Sequence, residues 1–217
     1  MIGIFDSGIG GLSVKKEIEK LLPEEEIFYL ADKENFPYGE KAPSQIRKIA
    51  EKNTQYLIDR GAEIIVVACN TATVHAIAYL RKRFPYVSFV GVEPAVKPAG
   101  LASKKGVIVL SSPRATRSKQ LHKLINKWAK GVKVFNIGSL ELVEAVEKKL
   151  GSERIKIILG KKLPKKILNQ SDVLVLGCTH FPLIKNEIAK YVGKKIKIID
   201  SAEAVAKQVK LKLGSNP

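Results

Sequence analysis

The chain has 217 residues, a hydrophobic fraction of 45% and a formal net charge of +17, long enough for one large domain or two small ones and apolar enough to bury a core. No apolar run reaches the ~18 residues of a membrane span, and the start, MIGIFDSGIGG, has no basic segment ahead of an apolar one, so a cytoplasmic protein with no membrane partner is expected. Two cysteines are too few for a disulfide framework, and with three histidines (His75, His122, His180) outside zinc-finger spacing they argue against a bound metal.

A charge this positive invites a nucleic-acid reading, because a clustered basic face neutralises phosphates. The lysines instead run along the whole chain as KK pairs between apolar segments, with no aromatic interleaving and no recognition motif. The charge is therefore read as solubility and steering, and no nucleic-acid partner is expected. The Lys-rich, Ile/Val-rich composition also fits a heat-adapted protein.

In chain order the strand candidates are IGIF (2–5), IFYL (27–30), EIIVVA (63–68), SFVGV (88–92), GVIVL (106–110), VKVFNI (132–137), VLVLG (173–177) and KIKII (195–199). They are short and β-branched, which favours buried strands over helices. Between them lie stretches such as SQIRKIAEKNTQYLID and TRSKQLHKLINKWAK, with apolar residues three or four apart. Strict alternation of strand and helix predicts an α/β protein with mainly parallel sheets, as one sheet of eight strands or two sets of four. The connection EPAVKPAGLASKKG (93–106), with Pro94, Pro98 and two glycines, predicts a hinge or domain boundary. Each cysteine ends the third strand of its set, and Asp6 precedes Cys69 by nearly the interval that separates Ser112 from Cys178. That reads as a diverged duplication. Functional loops of open α/β sheets follow the carboxyl ends of strands, so DSG, CNTA, SSPRATRS and GCTH are expected to line one crevice between two halves.

FDSGIGGLS follows the first strand and opens a helix, where glycines allow tight turning and exposed N–H groups attract anions. Ser13 stands where a dinucleotide fingerprint needs a third Gly or Ala, although Asp32, after the second strand, mimics its ribose acid and keeps a nucleotide reading open. Asp6 and Ser7 read either as helix caps or as functional groups facing the crevice. Cys69, in VVACNTATVHA, and Cys178, in LVLGCTHFPL, occupy matching places: strand end, a polar residue or two, then a helix, which after Cys178 is expected to begin at the proline. A buried cysteine is often silent core, but two at matching positions, each trailed by threonine, point to chemistry, and a helix N-terminus favours the reactive thiolate. His180 reads as a tuner of the Cys178 thiol or as a satisfied structural histidine. His75 is expected inside a helix in a structural role.

The ordered set DSGIGGLS, FPYGEK, ACNTA, GVEPAVKPA and GCTHFPL, spread across nearly the whole chain, resembles the glutamate racemases of the aspartate/glutamate racemase superfamily. The resemblance implies a cofactor-independent, homodimeric amino-acid racemase with two pseudosymmetric α/β domains and its active site between them. The first domain would be residues 1–94, with a C-terminal helix at about 201–217 packing back on it, and the second 95–200. By match to the family's motifs, Cys69 would take the α-proton from D-glutamate and Cys178 from L-glutamate, with Asp6 and His180 as acid/base assistants. The assisting glutamate carries over to Glu144, with Glu147 close by. Substrate would be held by Asp6, Ser7, by Pro37, Tyr38 and Gly39 of PYG, by Cys69, Asn70 and Thr71, by Ser112, and by Cys178, Thr179 and His180, in a pathway supplying D-glutamate for peptidoglycan. The family's threonine-rich turn appears here as SSPRATRS, where Ser112 and Ala115 stand for threonines. This predicts one substrate contact weakened or moved to Thr116, and it leaves another acidic amino acid, such as aspartate, as the alternative substrate.

The implied chemistry agrees with these residues on its own terms. Racemisation interconverts species of equal free energy, so comparable bases on opposite faces are needed, and two cysteines from two similar halves supply them. Carbanion charge built beside a carboxylate needs positioned donors in a dry site.

Overall fold

The computed structural model describes residues 1–214. Its strands are β1 (Ile2–Asp6), β2 (Ile27–Ala31), β3 (Ile64–Val67), β4 (Ser88–Gly91), β5 (Val107–Ser111), β6 (Val134–Gly138), β7 (Val173–Gly177) and β8 (Lys197–Ile199). The helices are α1 (Leu12–Leu21), α2 (Pro43–Ile58), α3 (Asn70–Arg83), α4 (Val96–Ala102), α5 (Pro113–Thr116), α6 (Lys119–Trp128), α7 (Leu140–Glu147), α8 (Ser152–Lys162), α9 (Lys165–Leu168), α10 (Lys185–Val192) and α11 (Ala202–Leu213). All eight expected strands are present. The expected C-terminal helix is α11, and positions 215–217 of that expectation lie outside the described residues.

The strands form two four-stranded sheets in the orders β2-β1-β3-β4 and β6-β5-β7-β8, and every pairing is parallel. The chain divides accordingly into one unit of Met1–Glu93 plus the stretch from Ser201 onward, and a second of Pro94–Asp200. The order repeats, and with it the consequence: the chain winds to opposite sides of β1 and of β5, so each sheet has a topological switch point beside its first strand. The carboxyl ends of β1 and β3 meet one switch point, those of β5 and β7 the other. These are the ends that carry Asp6, Cys69, Ser112 and Cys178.

In the first unit the sheet is buried on both faces, which is why its central strands read as continuous apolar runs. Phe5, Ile65 and Val67 pack with Ile46, Ala50 and Leu57 of α2 and Ala72, Ala76 and Leu80 of α3. Ile2, Ile4, Ile64 and Val66 point the other way, onto Val14 and Ile18 of α1 and Val205, Ala206 and Val209 of α11, as the period of two along a strand requires. The spacing of Ile46, Ala50, Thr54 and Leu57 puts one face of α2 on the core.

In the second unit Val107, Val109, Val173 and Val175 pack with Val96 and Ala99 of α4 and Leu121 of α6. Gly100 makes that approach possible, since a Cβ there would stand 2.1 Å from the Trp128 carbonyl oxygen. Serine caps set helix starts: Ser118 accepts from Leu121 N–H at 3.1 Å, and Ser139 from Leu142 N–H at 3.1 Å. No helix among the described residues is long and apolar enough to cross a membrane.

Candidate active site

In the first unit, β1 delivers Asp6 fully buried and Ser7 5% exposed. Asp6 Oδ1 accepts from the Gly8 N–H at 2.9 Å, so the carboxylate closes the turn that follows it. Gly11 allows α1 to begin against this carboxylate: a Cβ there would lie 2.8 Å from Asp6 Cβ and 3.0 Å from Ala68 Cβ. Tyr29 of β2 fixes the loop by donating to Gly8 O at 2.7 Å. Across the switch point, β3 ends and Cys69 becomes the N-cap of the 14-residue α3. Its thiol stands 3.8 Å from Ser7 Oγ as donor, and as N-cap the residue sits at the positive end of the helix, where negative charge is favoured. Asn70 is tied down, its amide donating to Val92 O at 3.0 Å, and Thr71 is buried.

The Pro37–Gly39 turn joins this cluster. It opens the 3₁₀ turn Tyr38–Glu40, and the Tyr38 side chain, 1% exposed, belongs to the same buried cluster as Cys69. Burial first, then the hydrogen bond and charge of Asp32, push its pKa well above the ordinary tyrosine value. Asp32 is 8% exposed, and both its oxygens accept from protein donors. That corrects the nucleotide reading: this acid is turned into the protein rather than presented to a ribose.

In the second unit, β7 delivers Cys178, 8% exposed, Thr179 at 4% and His180 at 2%. Here the structure departs from the expected symmetry. No α-helix begins at Pro182; a 3₁₀ turn runs Phe181–Ile184, and α10 starts at Lys185. What stands by this sulfur is an imidazole, with His180 Nδ1 3.8 Å from Cys178 Sγ. On its far side, His180 Nε2 meets Glu147 Oε2 at 2.8 Å. An ionised carboxylate only accepts, so against an ionised Glu147 the hydrogen sits on Nε2 and Nδ1 faces the thiol as an acceptor.

Glu147 ends α7 and is 13% exposed at its side chain. Glu144, one turn earlier, is 39% exposed and lies 3.7 Å from Lys148, so of the two glutamates it is Glu147 that joins the histidine. Ser112 caps α5, accepting from Ala115 N–H at 3.4 Å. The Thr116 hydroxyl donates back to Pro113 O at 2.8 Å. His75 falls inside α3, as its spacing predicts. Sequence reasoning missed Asn53, which joins Asp32 from a distant helix, and no local signal marked it. Among the described residues, no group of three or more histidine, cysteine, aspartate or glutamate side chains is placed to hold a metal ion.

The family described as Asp/Glu/Hydantoin racemase matches residues 2–209 of the chain. A glutamate racemase of Roseiflexus sp. is 43% identical over 210 residues, which is 96% of this chain and 77% of that protein. Among solved structures, Escherichia coli glutamate racemase in complex with L-glutamate and the activator UDP-MurNAc-ala aligns with a TM-score of 0.92 at 34% identity, covering 99% of this chain and 82% of that one. Francisella tularensis glutamate racemase in complex with D-glutamate aligns with a TM-score of 0.82 at 29% identity, covering 99% and 81%. With two parallel sheets of one strand order, a buried thiol at the carboxyl end of a matching strand in each, and this likeness along almost the full length, the chain belongs to the Asp/Glu/hydantoin racemase family and is an amino-acid racemase.

Proposed function

We propose that the protein interconverts L- and D-glutamate without a cofactor, by a two-base mechanism in which the half-sites of the two units act on opposite faces of one α-carbon. The observation that carries this reading is the pair of buried thiols at the ends of β3 and β7, each with a polar or basic neighbour at 3.8 Å. Glutamate is favoured as substrate by the relatives, which are glutamate racemases at about 40% identity, and by the two enantiomers held in the Escherichia coli and Francisella tularensis structures.

From D-glutamate, the Cys69 thiolate takes the α-proton, and the electron pair of the broken C–H bond stays on the α-carbon and its carboxylate. The Cys178 S–H then delivers its proton to the opposite face, giving L-glutamate and a Cys178 thiolate. The reverse direction exchanges the roles. The N–H groups at the start of α3 favour anionic sulfur at Cys69. At Cys178, His180 Nδ1 accepts the thiol proton, and Glu147 favours the imidazolium so formed. Asp6 assists at Cys69, with Ser7, Asn70, Thr71, Thr179 and the Pro37–Gly39 turn as substrate donors. Exclusion of water by these buried groups strengthens their hold on developing charge. The D-glutamate formed would serve peptidoglycan synthesis.

Incubation in deuterated water tests the reading. Each enantiomer of glutamate should yield its mirror image carrying solvent deuterium at the α-carbon, faster than aspartate does. Cys69→Ser and Cys178→Ser should each abolish turnover. Racemisation that survives loss of either thiol rejects the two-base assignment, and faster turnover of aspartate rejects the substrate.

A further inference from the structure

The first unit holds a buried carboxylate that the two-base chemistry leaves unused. Asp32 Oδ2 accepts from the Tyr38 hydroxyl at 2.5 Å and from Asn53 Nδ2 at 3.0 Å. Asn35 Nδ2 donates to Oδ1 at 2.8 Å and reaches Oδ2 at 3.1 Å. Asn53 closes a triangle by donating to the Tyr38 oxygen at 3.0 Å. The salt bridges of the described residues do not include Asp32. Neutral donors alone compensate its desolvation, an arrangement that is costly to break, since losing a donor leaves a buried charge unsatisfied.

The donors come from three places: the 3₁₀ turn Lys33–Asn35, the 3₁₀ turn Tyr38–Glu40, and the middle of α2. The carboxylate thus ties the loop after β2 to a helix. Within that loop, Tyr38 carries the turn, and its side chain shares one buried cluster with Cys69. The phenol hydrogen is committed to Asp32 and an oxygen lone pair to Asn53, so this hydroxyl has nothing left to donate to a substrate. What the Pro37–Gly39 turn can offer a ligand is its main chain, and the side chain of Tyr38 is its anchor.

We propose that Asp32 is a positioning residue for the racemase site, its carboxylate gripping Tyr38 and Asn53 so that the Pro37–Gly39 backbone is held at the Cys69 thiol in the geometry that binds the amino-acid substrate. The inference rests on the functional reading above and adds to it a residue that touches neither thiol nor substrate.

Kinetics on the full chain separate this role from a general contribution to folding. Asp32→Asn and Tyr38→Phe are compared with the parent for KM and kcat in both directions and for melting temperature. Asp32→Asn keeps one acceptor oxygen but turns an amide donor towards donors. Each variant should raise KM for both enantiomers about tenfold, the scale of a lost hydrogen bond to a buried charged acceptor, with a smaller change in kcat. The exchange Asp32→Asn with Asn53→Asp, which rebuilds an acceptor facing a donor beside Tyr38, should recover much of the lost affinity. If Asp32→Asn fails to fold, Tyr38→Phe, which keeps the carboxylate and both asparagines, carries the comparison. Parental KM in folded variants whose melting temperature alone has fallen overturns the role of Asp32 and leaves the racemase reading intact. An inactive parent chain rejects that reading and this inference with it.

Discussion

Glu147 reaches the far nitrogen of His180 at 2.8 Å, and Glu144, three residues earlier on α7, does not. The two differ in what surrounds them: the Glu147 side chain is 13% exposed, whereas Glu144 is 39% exposed and beside Lys148. Surface pairs of the second kind contribute only about 0.3–0.5 kcal/mol. A nearly buried pair fixes the tautomer and direction of the imidazole, which decides whether Nδ1 faces the thiol.

Glu147→Gln should therefore cost more activity than Glu144→Gln, by on the order of tenfold or more in kcat/KM, within the range of lost acid–base assistance. Because the substrates are mirror images at an equilibrium constant of one, kcat/KM must fall equally in both directions. Progress curves from each enantiomer check both points. The opposite ranking of the two variants would return the assisting role to Glu144.

Tyr38 predicts an alkaline limit on stability. Its folded pKa is raised above the ordinary value of 10.0 by burial and by Asp32. The native state keeps the proton that the unfolded chain releases, so this contribution is complete below about pH 10 and declines above it, by about 1.4 kcal/mol per pH unit. Denaturant unfolding between about pH 9 and 11 should show a steeper loss for the parent than for Tyr38→Phe. Equal slopes would contradict the buried phenol.

Asp172 predicts the acid counterpart in the second unit. Burial raises its pKa, but the Ser103 hydroxyl and the N–H groups of Lys104, Gly106 and Lys105 together outweigh burial and lower it below 3.8. Its carboxylate accepts from Ser103 Oγ at 2.6 Å and Lys104 N–H at 2.8 Å. The stability it contributes is present above the unfolded value and is lost as pH falls through the lower folded one. Asp172→Asn should flatten the acid limb below about pH 4, as read by melting temperature against pH.

Gly100→Ala should lower stability by about 1–3 kcal/mol, the usual cost of overpacking. The added methyl would meet the Trp128 main chain at 2.1 Å, and backbone cannot rotate aside as a side chain can. Alanine would otherwise favour the helix by about 1 kcal/mol over glycine. A rise in melting temperature would mean that α4 and α6 separate without penalty.

The fold was legible because its strands are β-branched runs with no rival period, and all eight lie where IGIF to KIKII place them. Strand order was not, since a strand buried on both faces carries no mark of its neighbours; nothing in IGIF or GVIVL says it is second in its sheet. The thiols stood out because each interrupts the end of an apolar run. The helix after Cys178 misled because proline suits the first turn of an α-helix and of a 3₁₀ turn equally, and Phe181–Ile184 takes the second. Glu144 and Glu147 are three apart, hence neighbours on α7. Which one faces His180 depends on how the helix is rotated, and spacing alone does not fix that. Asn53 and Asp32 are joined only by tertiary contact, which no local pattern records.

Ser201 donates to Glu93 O at 2.5 Å, so the chain leaves the first unit and re-enters it at one spot, having completed Pro94–Asp200 in between. During synthesis, this makes the half that is born first the last to close. Until α11 leaves the ribosome, Ile2, Ile4, Ile64 and Val66 lack the Val205, Ala206 and Val209 that cover them, while every residue of the second unit has already been made. A ribosome that stops before codon 202 therefore releases a chain with one finished half and one apolar sheet face partly bare, a substrate for chaperones and proteases rather than a smaller enzyme.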